Sequence, residues 1–181
     1  MTSLPAAGDL KLIQEAAGGS GDAFDSLFGP LVEPAYRLAL MMLEDASAAE
    51  DAVQEGTLRA WRRLPQLKDI ETIKPWFMAI VANECRSQRR HRWWSTLRLA
   101  DPPERAAHGI EEGIIQRLDL DRAFGRLNVE ERLPIHLYFY EDMRLEQVAV
   151  IMGTSVPAAR SRLYRALKRL RPGLELREVA L

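Results

Sequence analysis

The feature that most constrains the fold is the stretch 145–171, in which apolar residues recur at helical spacing on both sides of Gly153. Glycine readily takes the left-handed backbone conformation that ends a helix. Ser155 can cap the next helix, and Pro157 is tolerated in a first turn, where no backbone N–H donor is needed. The second helix is rich in arginine, so the stretch predicts a helix-turn-helix that places this helix in the DNA major groove. An amphipathic hairpin whose arginines face water is the alternative that this stretch leaves open.

The remainder of the chain is also helical by pattern. No segment shows the alternation of a strand, because apolar residues recur every three or four positions. We therefore predict an all-α protein of two small helical domains, residues 1–94 and 113–181, joined by a flexible linker at 95–112. The linker contains Pro102 and Pro103, and successive prolines oppose a regular helix.

Four helices are expected in the first domain, at about 9–17, 22–43, 47–64 and 73–93. Pro30 and Pro34 predict a kink or a short break in the second helix. Ser47 is expected to cap the third. The apolar residues expected on or near the inner face of the third helix are Ala48, Ala52, Leu58 and Trp61.

In the second domain, the pattern predicts a helix over 113–126 and another that ends near Tyr140. Asn128 and Glu131 have the three-residue spacing of a capping box, so the second of these helices should begin next to Asn128. The helix-turn-helix pair then completes a four-helix domain.

Charge alternates in sign along the chain, although the total is only −1. Residues 1–60 carry 3 basic and 10 acidic side chains, and residues 61–100 carry 9 and 3. Residues 101–159 carry 6 and 11, and residues 160–181 carry 7 and 2. This segregation argues against one uniformly basic nucleic-acid binder and favours two separate basic surfaces, each preceded by an acidic region.

Residues suited to catalysis or metal binding are sparse. The three histidines have no metal-ligand spacing, and Cys85 has no evident partner for catalysis. A single cysteine excludes an internal disulfide and fits a reduced, cytoplasmic protein, in which we expect Cys85 to be a small buried hydrophobe. We expect no catalytic residue, metal or cofactor. No signal peptide is visible, and the densest apolar run, 38–43, is too short for a membrane span.

Residues 46–94 form the second informative block. Its first half is an acidic helix with Glu50, Asp51, Gln54 and Glu55 within two turns, which is either a docking face for a basic partner or an ordinary solvated face. Its second half places apolar residues, including Trp76 and Phe77, before a basic end. Asparagine and glutamine can bond base edges and arginine can pair with phosphate, so this end is a candidate nucleic-acid surface.

Both blocks resemble a known family. Residues 50–55 (EDAVQE), 59–61 (RAW), 75–77 (PWF) and 82–90 (ANECRSQRR) resemble the first domain of extracytoplasmic-function sigma factors, group 4 of the sigma-70 family. Residues 153–155 (GTS) and 160–166 (RSRLYRA) resemble the promoter-binding helix-turn-helix of that family. The resemblance covers about residues 10–94 and 113–171, with both motifs in the family's order.

The resemblance implies an alternative sigma factor, not an enzyme, that binds core RNA polymerase and directs promoter-specific initiation by recognising −10 and −35 elements and assisting melting. The implied partners are the β and β′ subunits, promoter DNA as duplex and as non-template single strand, and an anti-sigma factor, with no small-molecule substrate and no membrane insertion. Loop 67–72 would capture an unpaired base, and the linker would run near the polymerase active-site region and the RNA exit path.

The same resemblance assigns side chains to three surfaces. It implies core-polymerase binding, on the clamp helices of β′, by Asp51, Gln54 and Glu55. It implies contact with the −10 element by Asn83, Arg86, Arg89 and Arg90. It implies recognition of the −35 element by Arg160, Ser161, Arg162, Tyr164 and Arg165.

The chain departs from the family pattern at two places. Gly56 follows Glu55 within a helix, where glycine costs about 1 kcal/mol relative to alanine, so the helix is either locally weaker or closely packed there. Residues 156–159 also differ, so the −35 preference cannot be copied from a relative, and Trp93 and Trp94 have no assignable function. Two rival functions remain: a dimeric helix-turn-helix regulator that works without polymerase, and an adaptor that keeps the fold and binds a regulator.

Overall fold

The computed structural model describes residues 7–67, 72–98, 124–125 and 127–170, with the side chains of all these except 7–10 and 92–98. The described residues form helices and turns without a strand. The chain divides into two compact units between Glu104 and Arg105, inside the predicted linker. The prediction of an all-α protein with two helical domains is therefore confirmed. The domain limits at 94/95 and 112/113 stay predictions.

Among its described residues, the N-terminal unit contains four α-helices: α1 (Ala7–Ala17), α2 (Gly21–Leu43), α3 (Ala46–Arg63) and α4 (Ile73–Arg98), with a 3₁₀ turn at Leu64–Gln66 after α3. Helices α2, α3 and α4 pack against one another, and α1 packs against α2. The fourth helix thus extends past its predicted end near residue 93. Residues 68–71 of the predicted base-capturing loop lie outside the described residues.

An aromatic cluster fills the core of this unit. Phe28 is 1% exposed, and its ring centroid lies 4.2 Å from that of Phe24 and 5.3 Å from that of Phe77. Trp61 and Trp76 pack at the edge of this cluster, against Phe24 and Phe28 respectively. The predicted burial of Phe77 is confirmed, and so is that of Cys85, which has no exposed surface.

Helix α2 is continuous through Pro30 and Pro34, so a break is absent, and the kink stays a prediction. Each proline removes one backbone hydrogen bond, but buried residues lie on α2 both before and after the two prolines. Packing of this apolar face against α3 and α4 holds the helix together across the missing bonds, since tertiary packing supplies most helix stability in proteins.

Helix α3 differs from its prediction in its N-terminal cap and in which apolar side chains it buries. Asp45, not Ser47, is the cap: its Oδ1 accepts the backbone N–H of Ala48 at 3.0 Å. Leu58, expected on or near the inner face, is 46% exposed, and Trp61 is 39% exposed although its ring packs against that of Phe24. The reason is that α3 buries a stripe of small residues, which leaves its larger apolar side chains at the edge; the stripe consists of Ala49, Ala52, Gly56 and Ala60.

The C-terminal unit contains α5 (Val129–Ile135), a π-helical turn (His136–Tyr140), α6 (Leu145–Met152) and α7 (Val156–Leu170). The predicted capping box is confirmed: Asn128 Oδ1 accepts the Glu131 N–H, and the Asn128 N–H donates to Glu131 Oε2, both at 3.0 Å. The predicted helix 113–126 lies outside the described residues except for 124–125, which are helical.

The predicted helix-turn-helix is confirmed in α6 and α7. Gly153 adopts φ 62° and ψ 40°, and its N–H bonds back to the last turn of α6. Helix α7 begins at Val156, directly after Ser155, with Pro157 in its first turn. Its buried leucines belong to one core cluster of the unit, which consists of Leu127, Ile135, Leu163, Ala166 and Leu170.

Candidate functional site

The exposed side of α3 carries the predicted docking residues. Asp51 and Gln54 are exposed, and Glu55 is half-buried. Beside them lies a groove of about 650 Å³, here called the α2–α3 groove, whose lining is mostly apolar. It is lined by Val32, Glu33 and Tyr36 of α2 and by Glu50, Val53, Gln54, Thr57 and Leu58 of α3.

Sequence reasoning missed the apolar part of this surface. Val32 is 41% exposed, and Leu58 had been expected inside. No local pattern marks either residue, because only the packing of α2 against α3 leaves them at the surface. An apolar groove edged by carboxylates suits a protein partner that presents both apolar and basic side chains.

Glu55 is connected to α4 through one guanidinium. Arg59 Nε donates to Glu55 Oε1 at 3.0 Å, and Arg59 Nη1 lies 2.6 Å from Glu84 Oε1 on α4. The side chain of Glu84 is only 7% exposed. Burial raises the pKa of Glu84, and the positive charge of Arg59 opposes that rise.

Gly56 shows which of its two interpretations is right. A Cβ atom at Gly56 would lie 2.8 Å from Val81 Cγ2 on α4, closer than carbon atoms pack. Helices α3 and α4 are therefore in close contact where the chain departs from the family pattern. The glycine serves close packing between the acidic helix and the basic helix.

The exposed side of α4 carries the second predicted surface. Asn83, Arg89 and Arg90 are exposed, and Arg86, which is half-buried, donates from Nη1 to Asn83 Oδ1 at 3.0 Å. Cys85 lies on the opposite, buried side, and burial raises the pKa of its thiol to about 12, so it is not a nucleophile at neutral pH. The structure thus brings all four predicted α4 residues to one polar, basic side.

On α7, four of the five predicted residues are exposed, and the fifth lies near α5. Arg160, Ser161, Tyr164 and Arg165 are exposed, and the Arg165 Nε donates to the Ser161 carbonyl at 3.3 Å. Arg162 is half-buried and lies 4.0 Å from the carboxylate of Glu130 on α5.

Arg169, seven residues beyond Arg162, pairs with Glu131 of the capping box. Together with the Arg162–Glu130 contact, this pair attaches α7 to α5. Sequence reasoning missed this second use of the basic residues, because spacing along α7 does not show where α5 lies.

The part of the chain that the structure describes contains neither a candidate metal site nor a candidate membrane span. Among these residues, no group of three or more His, Cys, Asp or Glu side chains could hold a metal ion. No helix among them is long and apolar enough to cross a bilayer.

The fold and these surfaces define a class: a helical DNA-binding protein with a helix-turn-helix unit and a second unit that carries one acidic and one basic helix face. Family models narrow the class. Those described as sigma-70 region 2 and sigma-70 region 4 match residues 27–95 and 117–170. The chain belongs to the sigma-70 family of RNA polymerase sigma factors, so it binds core RNA polymerase and directs promoter-specific initiation.

Relatives agree with this assignment, and several of them are named as extracytoplasmic-function sigma factors. The sigma factor SigV of Bacillus subtilis is 33% identical over 138 residues, covering 75% of this chain and 81% of that protein. The extracytoplasmic-function sigma factor SigL of Mycobacterium tuberculosis is 28% identical over 170 residues, covering 90% and 95%. The probable sigma factor RfaY of Xanthomonas campestris is 31% identical over 163 residues, but this chain spans only 41% of its length.

Solved structures show the same fold. CnrH, in complex with the cytosolic domain of CnrY, superposes with a TM-score of 0.65 at 25% identity, covering 91% of this chain and 95% of that one. The sigma factor RpoE of Bartonella quintana, in complex with the anti-sigma factor NepR, gives a TM-score of 0.72 at 24% identity, covering 86% and 98%.

Proposed function

We propose that the three surfaces divide the work of a sigma factor: α3 and the α2–α3 groove bind core polymerase, α4 engages the −10 element, and α7 reads the −35 element. The observation that carries this proposal is the segregation of exposed charge. One acidic and one basic helix face lie in the unit that matches region 2, and one basic face lies in the unit that matches region 4.

The polymerase-binding part rests on Asp51, Gln54 and Glu55 beside the apolar groove. Acidic side chains steer a basic partner, and the apolar lining of the groove adds contact area at short range. The clamp helices of the β′ subunit are the partner that the family resemblance implies for these residues.

The −10 part rests on Asn83, Arg86, Arg89 and Arg90 of α4. Arginines pair with phosphates, and an asparagine amide offers both a donor and an acceptor to a base edge. Bases of the non-template strand that leave the stack expose edges that a duplex hides, so binding them assists melting.

The −35 part rests on the outward residues of α7. Arg160, Ser161, Tyr164 and Arg165 supply phosphate and base-edge contacts of the kind that a recognition helix makes in the major groove. Arg162 was assigned to this surface by resemblance and stays a prediction there, although its nearest charged partner is Glu130.

The protein is proposed to act without covalent chemistry of its own and in the cytoplasm, where polymerase and promoter DNA are found. It is also proposed to bind an anti-sigma factor, since one structural neighbour is a sigma factor in complex with an anti-sigma factor.

The first experiment mixes the protein with core RNA polymerase and measures holoenzyme formation together with run-off transcription from a pool of promoter fragments. We expect binding and selective initiation, with a −10 and a −35 preference read from the transcripts. DNA binding without polymerase binding would contradict the proposal and favour a free-standing regulator.

Variants locate the polymerase surface. Asp51→Ala should weaken core binding by about fivefold or more, as expected for a residue at the centre of an interface. Glu15→Ala, which removes an exposed carboxylate from α1, is the matched control and should bind core like the unchanged protein. Equal affinities for all three proteins would place the polymerase surface elsewhere.

A further inference from the structure

The Arg59–Glu84 pair lies between two surfaces that the proposed function treats separately. Arg59 is on α3, one helical turn after Glu55, and Glu84 is on α4, next to Asn83. Both contacts are made by one guanidinium, through Nε to Glu55 and through Nη1 to Glu84. A planar guanidinium can bind two carboxylates in a fixed geometry, which an ammonium cannot do.

The pair also lies next to a close contact between the two helices. Arg59 is three residues after Gly56, and Glu84 is three residues after Val81, the residue that Gly56 touches. Residues three apart lie on the same side of a helix, so the ion pair continues the Gly56–Val81 contact by one turn. Close packing and a charge pair with a buried carboxylate thus hold α3 and α4 in one register.

The ion pair stabilises the charge of Glu84 more than that of Arg59. The Glu84 side chain is 7% exposed, whereas that of Arg59 is 43% exposed. A buried carboxylate without a cation is costly, so Arg59 is held in place by Glu84. From this position it orients Glu55 through Oε1, and the carboxylate keeps acceptor capacity for a polymerase donor, because it offers about four lone-pair sites.

We propose that Arg59 is a positioning residue that couples polymerase binding to −10 recognition, by holding Glu55 on α3 and Glu84 on α4 with a single guanidinium. This inference rests on the proposed function, because it needs Glu55 to face polymerase and α4 to face the −10 element. Loss of Glu84 frees Arg59 to turn fully onto Glu55 and compete with polymerase for it. It also loosens the placement of Asn83 relative to the docked face.

A double-mutant cycle tests the coupling. The dissociation constant for core polymerase is measured for the unchanged protein, Glu55→Gln, Glu84→Gln and the double variant. Glu84→Gln keeps the side-chain shape and lies on neither exposed surface, yet we expect it to weaken core binding about threefold or more. The double variant should deviate from the product of the single effects by about threefold or more, as residues in one salt-bridge network do.

Promoter opening gives the second measurement. With core polymerase at saturation, permanganate reactivity of unpaired thymines should appear more slowly with Glu84→Gln than with the unchanged protein. Arg59→Lys should show the same two defects, because an ammonium cannot bind both carboxylates in this geometry. Arg62→Lys, at an exposed position on α3, is the matched control and should show neither.

The outcomes separate the inference from the function on which it depends. Failure of the unchanged protein to bind polymerase would overturn the proposed function. Normal binding with multiplicative effects in the cycle, or a lowered melting temperature with unchanged affinity and opening, would overturn the coupling alone.

A further variant covers loss of folding. If Arg59→Lys or Glu84→Gln does not fold, Arg59→Met/Glu84→Met removes both charges together, an exchange that proteins often tolerate. We expect this double variant to fold and to show both functional defects. Unchanged core affinity and unchanged promoter opening in the folded double variant would overturn the coupling.

Discussion

The two units use arginine in different ways. In the N-terminal unit, Arg59 joins two helices by binding a carboxylate on each, and the arginines on the exposed side of α4 are separate from that pair. In the C-terminal unit, a single helix does both jobs, since α7 presents Arg160 outward and attaches itself to α5 through Arg169. Residue type therefore does not show whether an arginine is available to DNA. The neighbouring helix decides it.

The units also differ in the side chains that form their cores. The N-terminal core includes a cluster of aromatic rings, whereas one core cluster of the C-terminal unit consists of leucine, isoleucine and alanine. Large rings leave large cavities when they are removed, so the first unit should be the more sensitive to truncation. The following predictions test these contrasts in order of decreasing effect.

The largest effect is expected from Phe28→Ala in the aromatic cluster. Because this side chain is 1% exposed and contacts three other rings, its loss should lower the free energy of unfolding by about 3–5 kcal/mol. Urea titration followed by tryptophan fluorescence measures it. Leu58→Ala, at a 46% exposed site, is the control and should cost well under half as much. Similar losses for both would show that the cluster is not the core of the unit.

A smaller effect is expected from Gly56→Ala. The added methyl group meets Val81 Cγ2, so overpacking should lower the free energy of unfolding by about 1–3 kcal/mol. Gly21→Ala, where a Cβ meets nothing within 4 Å, should be neutral or slightly stabilising. Adding Val81→Ala to Gly56→Ala should restore part of the loss. If Val81→Ala restores no stability, the contact between Gly56 and Val81 does not limit how closely α3 and α4 pack.

The two arginines of α7 should separate binding from stability. Arg160→Ala should weaken binding to a duplex with the selected −35 element by about 1–3 kcal/mol and leave the melting temperature unchanged. Arg169→Ala should leave DNA affinity nearly unchanged and cost at most about 1 kcal/mol of stability, as an exposed ion pair does. Fluorescence anisotropy and thermal unfolding measure the two effects. The comparison fails if both variants lose the same property.

The smallest effects concern pH, where two glutamates should act in opposite directions. The Asn128 backbone N–H, and then Arg169 and Arg165, hold the pKa of Glu131 below 4.5. Its folded state binds fewer protons than the unfolded state, so its contribution is present above 4.5 and is lost as the pH falls through the folded pKa. Glu131→Gln should remove that pH dependence from the C-terminal unit.

Glu84 has the opposite sign. Burial raises its pKa above 4.5, opposed by Arg59 and Arg63 and assisted by Glu55. Its folded state binds more protons, so stability falls as the pH rises from 4.5 through the folded pKa. Urea titrations of the unchanged protein, Glu84→Gln and Glu131→Gln across this range measure both slopes. Slopes of the same sign for the two glutamates would contradict the assignment.

Local signals were predicted well from sequence. Gly153 ends α6 in the left-handed conformation, and Asn128 and Glu131 cap α5 reciprocally, because each depends only on residues within one turn. One local prediction was wrong: Asp45 and not Ser47 caps α3, and both are residue types that can cap a helix. The predicted break of α2 is absent for a different reason, because packing against α3 and α4 keeps the helix continuous through Pro30 and Pro34.

The amino-acid sequence by itself determined the helical class, the helix-turn-helix and which helices carry charge, because periodicity, capping and turn chemistry act over a few residues. Only the tertiary structure decided which charges face outward. The Arg59–Glu84 pair, the turn of Arg162 and Arg169 toward α5, and the α2–α3 groove all depend on contacts between residues far apart in the chain. Such contacts produce no recognisable spacing in the sequence, because how closely two helices pack decides which side chains meet.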